Sequence, residues 1–181
     1  NDGWWSCNSI FMGFGKWDST MKFTFKLNTK DNFGKKILFL DRDGVVIEDT
    51  GYPIEIDNLE IKKNTIKKLI DFKEQNSLSN CGFVTNQSGV SREYFFEKKF
   101  WETHEYIIKR CNDLGLEIDF TCVNFFMNNN YFRKPNNGML ETAISYTGAI
   151  REQSFMVGDK DTDMAAAKKS FLNYEDISYF L

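Results

Sequence analysis

The run Ile37–Leu40, written ILFL, constrains the fold of this chain more than any other feature. Four consecutive apolar residues fit a strand that is buried on both faces, and such strands are typical of parallel sheets covered by helices. The run stops at Asp41, and Asp43 and Gly44 follow within three residues. A buried strand therefore leads directly into two carboxylates and a glycine.

From residue 36 onward, short apolar segments alternate with segments of helical periodicity. The predicted strands are KILFLD (36–41), NCGFVTN (80–86), EIDFTCV (117–123) and SFMVGD (154–159). The predicted helices are a segment ending near Gln75, the stripe Phe96, Phe100, Ile107, Cys111 and Leu114, and the segments GMLETAISYTGA and TDMAAAKK. This alternation predicts an α/β fold, a three-layer, Rossmann-like parallel sheet with helices on both faces.

Residues 1–35 differ from the rest and are predicted to be an N-terminal extension of a domain formed by residues 36–181. The first part of the extension is rich in Gly, Ser, Asn and Trp and has no sustained period. Phe23, Phe25 and Leu27 then alternate with polar residues, which is typical of a strand with one buried face. We expect this extension to be either a hairpin or the remnant of a fused or lost upstream domain.

The composition indicates a globular domain without a general attraction for polyanions. The chain has 181 residues, 41% of them hydrophobic, and a net charge of −3. This charge favours neither nucleic acid nor an anionic membrane as a partner, and no apolar run approaches the roughly 20 residues that span a bilayer. The four cysteines form no CxxC pair and are predicted to be reduced thiols: Cys7, Cys81, Cys111 and Cys122. We predict a cytoplasmic monomer.

Each predicted strand, or the loop after it, leads to acidic, cationic or amide-bearing side chains. These segments are Asp41–Gly44, Thr85–Gly89, Arg133–Pro135 and Gly158–Asp163. In parallel sheets, ligands bind beyond the carboxyl ends of the strands. The four segments are therefore predicted to form one pocket with the residue types of a metal-assisted phosphoryl-transfer site.

The residue types suggest a role for each principal side chain. Asp41 is the best candidate for nucleophilic attack on phosphorus, which would form an aspartyl-phosphate. Asp43 could protonate the leaving oxygen and then deprotonate the attacking water. Asp159 would complete a Mg²⁺ site, because carboxylates and water are the ligands that this ion prefers. Lys134 would neutralise charge on the transferred phosphoryl group, and Thr85 would donate a hydrogen bond to it.

Four segments, in the order DRDGVV, TNQSGV, RKPNNGM and VGDKDTDM, resemble the four motifs of the haloacid dehalogenase (HAD) superfamily. Within it, the chain is most similar to the family of heptose 1,7-bisphosphate 7-phosphatases and histidinol-phosphate phosphatases, and GYPIEIDNLEI adds to that similarity. The resemblance covers roughly residues 36–170. It implies a HAD-like fold with a minimal cap or none.

The resemblance also implies a set of site residues. Asp41 would be both nucleophile and metal ligand, Asp43 the acid/base with its backbone carbonyl on the metal, and Asp159 a further ligand. Asp163 would brace the site without touching substrate. The residues implied to contact substrate or its phosphate are Thr85, Asn86, Gln87, Ser88, Arg133, Lys134 and Lys160.

One loop departs from the family pattern. Members of the family usually carry a zinc loop before RKP, with one CxH pair and one CxC pair. Here only Cys122 matches, whereas Asn124, Asn130 and Phe132 stand at the other three positions. One thiolate cannot hold a structural zinc that takes four ligands. We therefore predict that Mg²⁺ is the cofactor and that no structural zinc is bound.

The resemblance implies a Mg²⁺-dependent phosphomonoesterase whose substrate is a small phosphorylated sugar. The 7-phosphate of D-glycero-D-manno-heptose 1,7-bisphosphate is the expected target. One alternative is a phosphatase for histidinol phosphate or another small sugar phosphate. The other is an inactive phosphate-binding or scaffold domain.

Overall fold

Strands of the described chain form one mixed sheet in the computed structural model, which describes residues 23–29 and 32–181. The strands are β1 (Phe23–Leu27), β2 (Ile37–Leu40), β3 (Asn80–Asn86), β4 (Phe120–Asn124), β5 (Phe155–Gly158) and β6 (Asn173–Asp176). The helices are α1 (Lys63–Gln75), α2 (Glu97–Asp113), α3 (Gly138–Thr147) and α4 (Asp161–Lys169). The spatial order is β1-β4-β3-β2-β5-β6, and only β1 runs antiparallel to its neighbour.

The sheet separates two hydrophobic cores, because consecutive residues of a strand face opposite sides. On β2, Leu38 and Leu40 join the core formed with α1 and α2. Ile37 and Phe39 join the core formed with α3 and α4. All four side chains are fully buried, and each such burial contributes about 1.5–3 kcal/mol. The predicted three-layer α/β architecture is confirmed, although the sheet is mixed and not parallel throughout.

The predicted one-sided strand in the N-terminal extension is β1, which pairs with β4 at the edge of the described sheet. Phe25 is buried, and its ring lies 5.8 Å from that of Phe120 and 4.8 Å from that of Tyr146. Residues 23–27 therefore share a core with the following domain. Residues 1–22, on which the choice between a hairpin and a domain remnant depends, lie outside the described residues. The domain boundary at residue 36 stays a prediction.

Two features differ from the sequence prediction. The segment NYED forms β6, parallel to β5, although it has neither an apolar run nor a period of two. It escapes prediction because this edge strand is only half covered. Phe96 is 87% exposed instead of joining the buried stripe of α2. It precedes the first helical residue and has an extended backbone, so the helical period does not extend to it.

The described connections at the carboxyl end of the parallel strands, the longest of which covers residues 41–62, contain no α-helix and no further strand of the sheet. After β2 the chain makes a turn with bridges from Asp43 to Ile47 and from Ile47 to Ile61. Before α1 it contains only the short 3₁₀-helix Ile56–Asn58. Within residues 23–29 and 32–181, every helix falls short of the length and apolar character that crossing a membrane requires.

Gly82 on β3 provides a test of the core, because it lies opposite Phe120 on β4. A Cβ atom at Gly82 would approach the Phe120 ring to 2.3 Å. We expect Gly82→Ala to lower the free energy of unfolding by about 1–3 kcal/mol, measured by urea denaturation.

The matched control is the same substitution in a Phe120→Leu background, where the smaller side chain leaves room for the methyl group. There the cost of Gly82→Ala should fall by about 1 kcal/mol or more. Equal costs in the two backgrounds would contradict the packing explanation.

Candidate active site

The carboxyl ends of β2, β3 and β5 meet at one edge of the sheet, because these strands are parallel neighbours. The backbone N–H of Asp41 donates to the Val157 carbonyl at 2.9 Å, so Asp41 continues the β2–β5 ladder. Asp159 follows β5 directly, and Thr85 lies near the end of β3. The predicted meeting of strand ends is therefore present in the structure.

Asn86 attaches the loop that carries Lys134 to the end of β3. Its side chain accepts from the Lys134 N–H at 3.2 Å and donates to the Lys134 carbonyl at 3.0 Å. The Lys134 ammonium then points inward and donates to the Val84 carbonyl at 2.7 Å. It also pairs with Oδ1 of Asp41 at 2.9 Å and with Oδ1 of Asp163 at 2.6 Å. These three acceptors compensate for the burial of a side chain that is only 3% exposed.

Gly44 allows Asp159 to approach the turn after β2. Its φ of +85° lies in the left-handed region, and its N–H donates to the Ile47 carbonyl at 2.8 Å. A Cβ atom at this position would lie 2.2 Å from Oδ2 of Asp159. Glycine is therefore required here both by the backbone conformation and by the neighbouring carboxylate.

The ionisation of this cluster is set by burial and by mutual charge. Burial raises the pKa of Asp41 above its ordinary value, and Lys134 opposes that rise. Burial, and then the charge of Asp41, raise the pKa of Asp159 to about 6. Burial would lower the pKa of Lys134, but the carboxylates of Asp163 and Asp41 more than offset this and raise it. Lys134 therefore stays charged, while the raised pKa values of Asp41 and Asp159 make these two acids harder to ionise.

The cluster has the donors and the charge of a divalent-cation site. Asp41, Asp159 and Asp163 each place one carboxylate oxygen within 4.8 Å of the others. Oδ1 of Asp159 is buried and accepts no hydrogen bond from the described part of the chain. Lys134 pairs with Asp41 and Asp163, and Lys160, which is shared with Asp49, lies 3.9 Å from Asp159. The acids outnumber the two lysines, so the cluster keeps a net negative charge that attracts a cation. Oxygen donors are also the ligands that Mg²⁺ takes, so the residues present fit this ion.

Asp43 has different surroundings from Asp41, although only one residue separates them. Its Oδ1 accepts from Nε of Arg42 at 2.7 Å, and its Oδ2 accepts from Nη2 of Arg42 at 3.2 Å. Gln87 donates through Nε2 both to Oδ2 of Asp43 at 2.8 Å and to Thr85 Oγ1 at 2.9 Å. The carboxylate of Asp43 therefore sits among donors, whereas that of Asp41 sits among acids and one lysine.

The remaining predicted residues lie around this centre. Ser88 is buried in the loop after β3. Arg133 is half-buried and donates through Nη1 to the Phe126 carbonyl at 2.7 Å. Lys160 pairs with Asp49 at 2.7 Å and lies 3.9 Å from Asp159. For these residues, as for Asn86 and Gln87, contact with substrate stays a prediction.

Asp163 has one structural role in addition to its ion pair with Lys134. It is fully buried, and its Oδ2 accepts from the Lys160 N–H at 3.2 Å, which caps the first turn of α4. It also belongs to the carboxylate cluster with Asp41 and Asp159. The bracing role of Asp163 stays a prediction.

The loop before Arg133 is organised by amides and aromatic rings. Cys122 is a buried free thiol on β4, and burial raises its pKa far above the ordinary value. Asn124 donates to the Phe126 carbonyl at 3.1 Å, and Asn130 Oδ1 accepts from the Phe132 N–H at 2.9 Å. The Phe132 ring stacks on Phe23 at 4.2 Å. That the loop binds no zinc stays a prediction.

Sequence reasoning missed two charged residues of the site. Arg42 is 1% exposed and forms the ion pair with Asp43. The sequence did indicate this pair, because an arginine two residues after a fully buried strand is itself close to the core and needs an acidic partner. Asp49, the partner of Lys160, carries no such signal, since 111 residues separate the two along the chain.

Comparisons with known proteins agree with the geometry. A family model described as HAD-hydrolase-like matches residues 131–170. The D-glycero-β-D-manno-heptose-1,7-bisphosphate 7-phosphatase of Pasteurella multocida is 37% identical over 142 residues, which are 74% of this chain and 76% of that protein. The histidine biosynthesis bifunctional protein HisB of Campylobacter jejuni is 34% identical over 157 residues, covering 80% of this chain. The chain spans only 43% of the length of that bifunctional protein.

A solved structure shares the fold. The crystal structure of D,D-heptose 1,7-bisphosphate phosphatase from B. bronchiseptica, complexed with magnesium and phosphate, superposes with a TM-score of 0.65. The sequence identity is 23%, and the match covers 77% of this chain and 78% of that chain. At this identity the likeness concerns the fold alone.

Lys134 should be essential for stability, because its removal leaves Asp41 and Asp163 buried without their cation. We expect Lys134→Met to lower the free energy of unfolding by about 3–5 kcal/mol at pH 7, measured by urea denaturation in EDTA. The loss should shrink as the pH falls to 5. Folded Asp41, whose pKa is already raised above 3.8, then takes up a proton before the unfolded chain does.

The control is Lys98→Met, since the Lys98 side chain is 88% exposed and its pair with Glu102 spans 3.9 Å. That variant should change stability by less than about 0.5 kcal/mol at either pH. A Lys134→Met loss that is the same at pH 7 and pH 5 would argue against uncompensated carboxylates as its cause.

Proposed function

This chain belongs to the haloacid dehalogenase superfamily of phosphatases, and from that premise we propose that it is a Mg²⁺-dependent phosphomonoesterase acting through an aspartyl-phosphate. The observation that carries the proposal is the contrast between the two carboxylates after β2. Asp41 faces Lys134 and the acidic cluster, whereas Asp43 faces Arg42 and Gln87. This contrast supports Asp41 as the attacking carboxylate and Asp43 as the group that transfers protons.

In the first step, a carboxylate oxygen of Asp41 forms a bond to phosphorus as the bond to the leaving oxygen breaks. Oδ1 of Asp41 is held by Lys134, so Oδ2 is the oxygen available for attack. Asp43 donates a proton to the leaving oxygen, which departs as an alcohol. Lys134 offsets negative charge on the phosphoryl group during the transfer.

In the second step, Asp43 accepts a proton from water as the water oxygen bonds to phosphorus. The bond between phosphorus and Asp41 breaks, which releases inorganic phosphate and restores the carboxylate. The Thr85 hydroxyl, which accepts from Gln87 at 2.9 Å, keeps its own proton and through it donates a hydrogen bond to a phosphoryl oxygen. Asp41 and Asp159, with the backbone carbonyl of Asp43, would hold Mg²⁺, which when bound supplies positive charge to the phosphoryl oxygens, and Asp163 lies in the same carboxylate cluster.

We propose a small phosphorylated sugar as substrate, with the 7-phosphate of D-glycero-D-manno-heptose 1,7-bisphosphate as the leading candidate. The support is the similarity to the Pasteurella multocida enzyme, of which this chain covers 76%. The similarity to HisB keeps histidinol phosphate as the alternative. The intact set of Asp41, Asp43, Lys134 and Asp159 argues against an inactive binding domain. The buried free thiols Cys81, Cys111 and Cys122 support a reducing, cytoplasmic location.

Magnesium affinity should depend on pH through Asp159, because a carboxylate binds the ion only when it is deprotonated. With a pKa of about 6, Asp159 is ionised at pH 7.5 and mostly protonated at pH 5. We expect Mg²⁺ to bind about tenfold more weakly at pH 5 than at pH 7.5, measured by calorimetric titration.

The matched control is Asp159→Asn, which should bind Mg²⁺ weakly at both values and lose most of the pH dependence. Equal wild-type affinity at pH 5 and pH 7.5 would remove Asp159 from the metal site.

The catalytic assignment is tested by phosphate release from heptose 1,7-bisphosphate, histidinol phosphate and several hexose phosphates in Mg²⁺. We expect Asp41→Asn to reduce release by at least about 10³-fold, because the amide cannot form the covalent intermediate. The heptose bisphosphate should be the preferred substrate. Preference for another ester would change the proposed substrate but leave the proposed chemistry intact. Activity that survives in Asp41→Asn would contradict the assignment of Asp41 as nucleophile.

A further inference from the structure

We propose that Arg42 is a positioning residue that fixes the carboxylate of Asp43 for proton transfer to the leaving oxygen. The inference rests on the proposed function, since it assigns a partner to the acid/base. Arg42 directly precedes Asp43, and its guanidinium donates to both carboxylate oxygens, from Nε to Oδ1 at 2.7 Å and from Nη2 to Oδ2 at 3.2 Å. Such a bidentate pair of hydrogen bonds fixes the plane of the carboxylate as well as its position.

The bonds to Asp43 are divided unequally between its two oxygens. Oδ2 accepts from Nη2 of Arg42 and from Nε2 of Gln87, which occupies both of its acceptor positions. Oδ1 accepts only from Nε of Arg42 among the described residues, so one of its acceptor positions stays open. The geometry thus assigns the transferred proton to Oδ1.

The burial of Arg42 indicates that this contact has a specific use. The side chain is 1% exposed, and its Nη1 is buried without a hydrogen-bond partner among the described residues. Burying a permanent charge with one donor unsatisfied costs free energy, which a neutral side chain at this position would avoid. A function that needs the guanidinium fork, formed by Nε and Nη2 of Arg42, explains why an arginine occupies this position despite the cost.

The surroundings hold the fork in one orientation. The guanidinium carbon of Arg42 lies 5.2 Å from the centre of the Phe100 ring, an arrangement that stabilises a cation. His104 belongs to the same aromatic cluster and stacks on Phe100, with the two ring centres 5.2 Å apart. Burial, and then the charge of Arg42, hold the pKa of His104 well below its ordinary value. A neutral His104 does not repel the guanidinium of Arg42.

The experiment compares two esters that differ in their need for an acid. Alkyl phosphates, such as the sugar phosphate turned over fastest, release a poor leaving group that must be protonated. 2,4-Dinitrophenyl phosphate releases a stable anion that needs no proton. Arg42→Met keeps much of the side-chain volume but removes the fork. The parameter to compare is kcat/KM, which reports the steps up to departure of the leaving group.

We expect Arg42→Met to lower kcat/KM for the alkyl ester by about 10²-fold and for the dinitrophenyl ester by less than about threefold, since acid catalysis supplies 10²–10⁴-fold. Arg42→Lys should show the same selectivity with a smaller loss, which also covers the case in which Arg42→Met does not fold. In both Arg42 variants, the inhibition constant of inorganic phosphate should stay within about threefold of the wild-type value. The reason is that Arg42 acts through Asp43 and not on the phosphoryl group.

Two further variants separate the outcomes. Lys62→Met is the matched control, because Lys62 donates to the Gly44 carbonyl at 3.0 Å in the same turn but does not touch Asp43. Its effect should be equal on the two esters. Asp43→Asn should show the selective loss in full.

Equal losses on both esters in Asp43→Asn would overturn the acid role of Asp43. Absence of phosphate release from the wild type would overturn the proposed function itself. Either result would also overturn the proposed role of Arg42. Selective loss in Asp43→Asn but equal losses on both esters in the Arg42 variants would overturn only the role of Arg42.

Discussion

The ammonium group of Lys134 lies between two buried carboxylates, and the rest of the site depends on that contact. Asp41 follows β2, Asp163 lies in α4, and Lys134 comes from the loop after β4, so one cation joins three separate segments. The two hydrogen bonds between the Asn86 side chain and the Lys134 backbone, one donated by each residue, fix the loop that carries the lysine. Because the carboxylates of Asp41, Asp159, Asp163 and Asp49 outnumber the ammonium groups of Lys134 and Lys160, the cluster keeps a net negative charge that attracts a divalent cation.

A one-residue step after β2 accounts for the division of labour between Asp41 and Asp43. Asp41 still belongs to the sheet ladder and is directed to the acidic cluster. Asp43 lies past the end of the strand, where the turn through Gly44 carries it to Arg42 and Gln87. Two chemically identical side chains thus acquire opposite surroundings, which is how one short motif can supply both a nucleophile and a proton carrier.

Periodicity in the sequence predicted most of the sheet, whereas contacts between distant residues escaped prediction. Continuous apolar runs located β2 to β5 because both faces of these strands are covered. The half-covered strand β6 and the exposed Phe96 carry no such pattern. The strand-end residues were predictable, since parallel strands bring their carboxyl ends together. The Lys160 contact with Asp49 was not, because no local pattern encodes a pair so far apart in the chain.

The two edges of the described sheet bear on how this chain behaves at high concentration. β1 runs antiparallel along β4 and is itself the edge strand on that side of the described sheet. On the other side β6 has only four residues, and Glu175 and Asp176 give it negative charge. A short, acidic edge is a poor template for a strand from another molecule, because like charges repel and few backbone bonds can form. The polar residues that deprive β6 of an apolar pattern therefore also protect this edge of the sheet from pairing with another molecule.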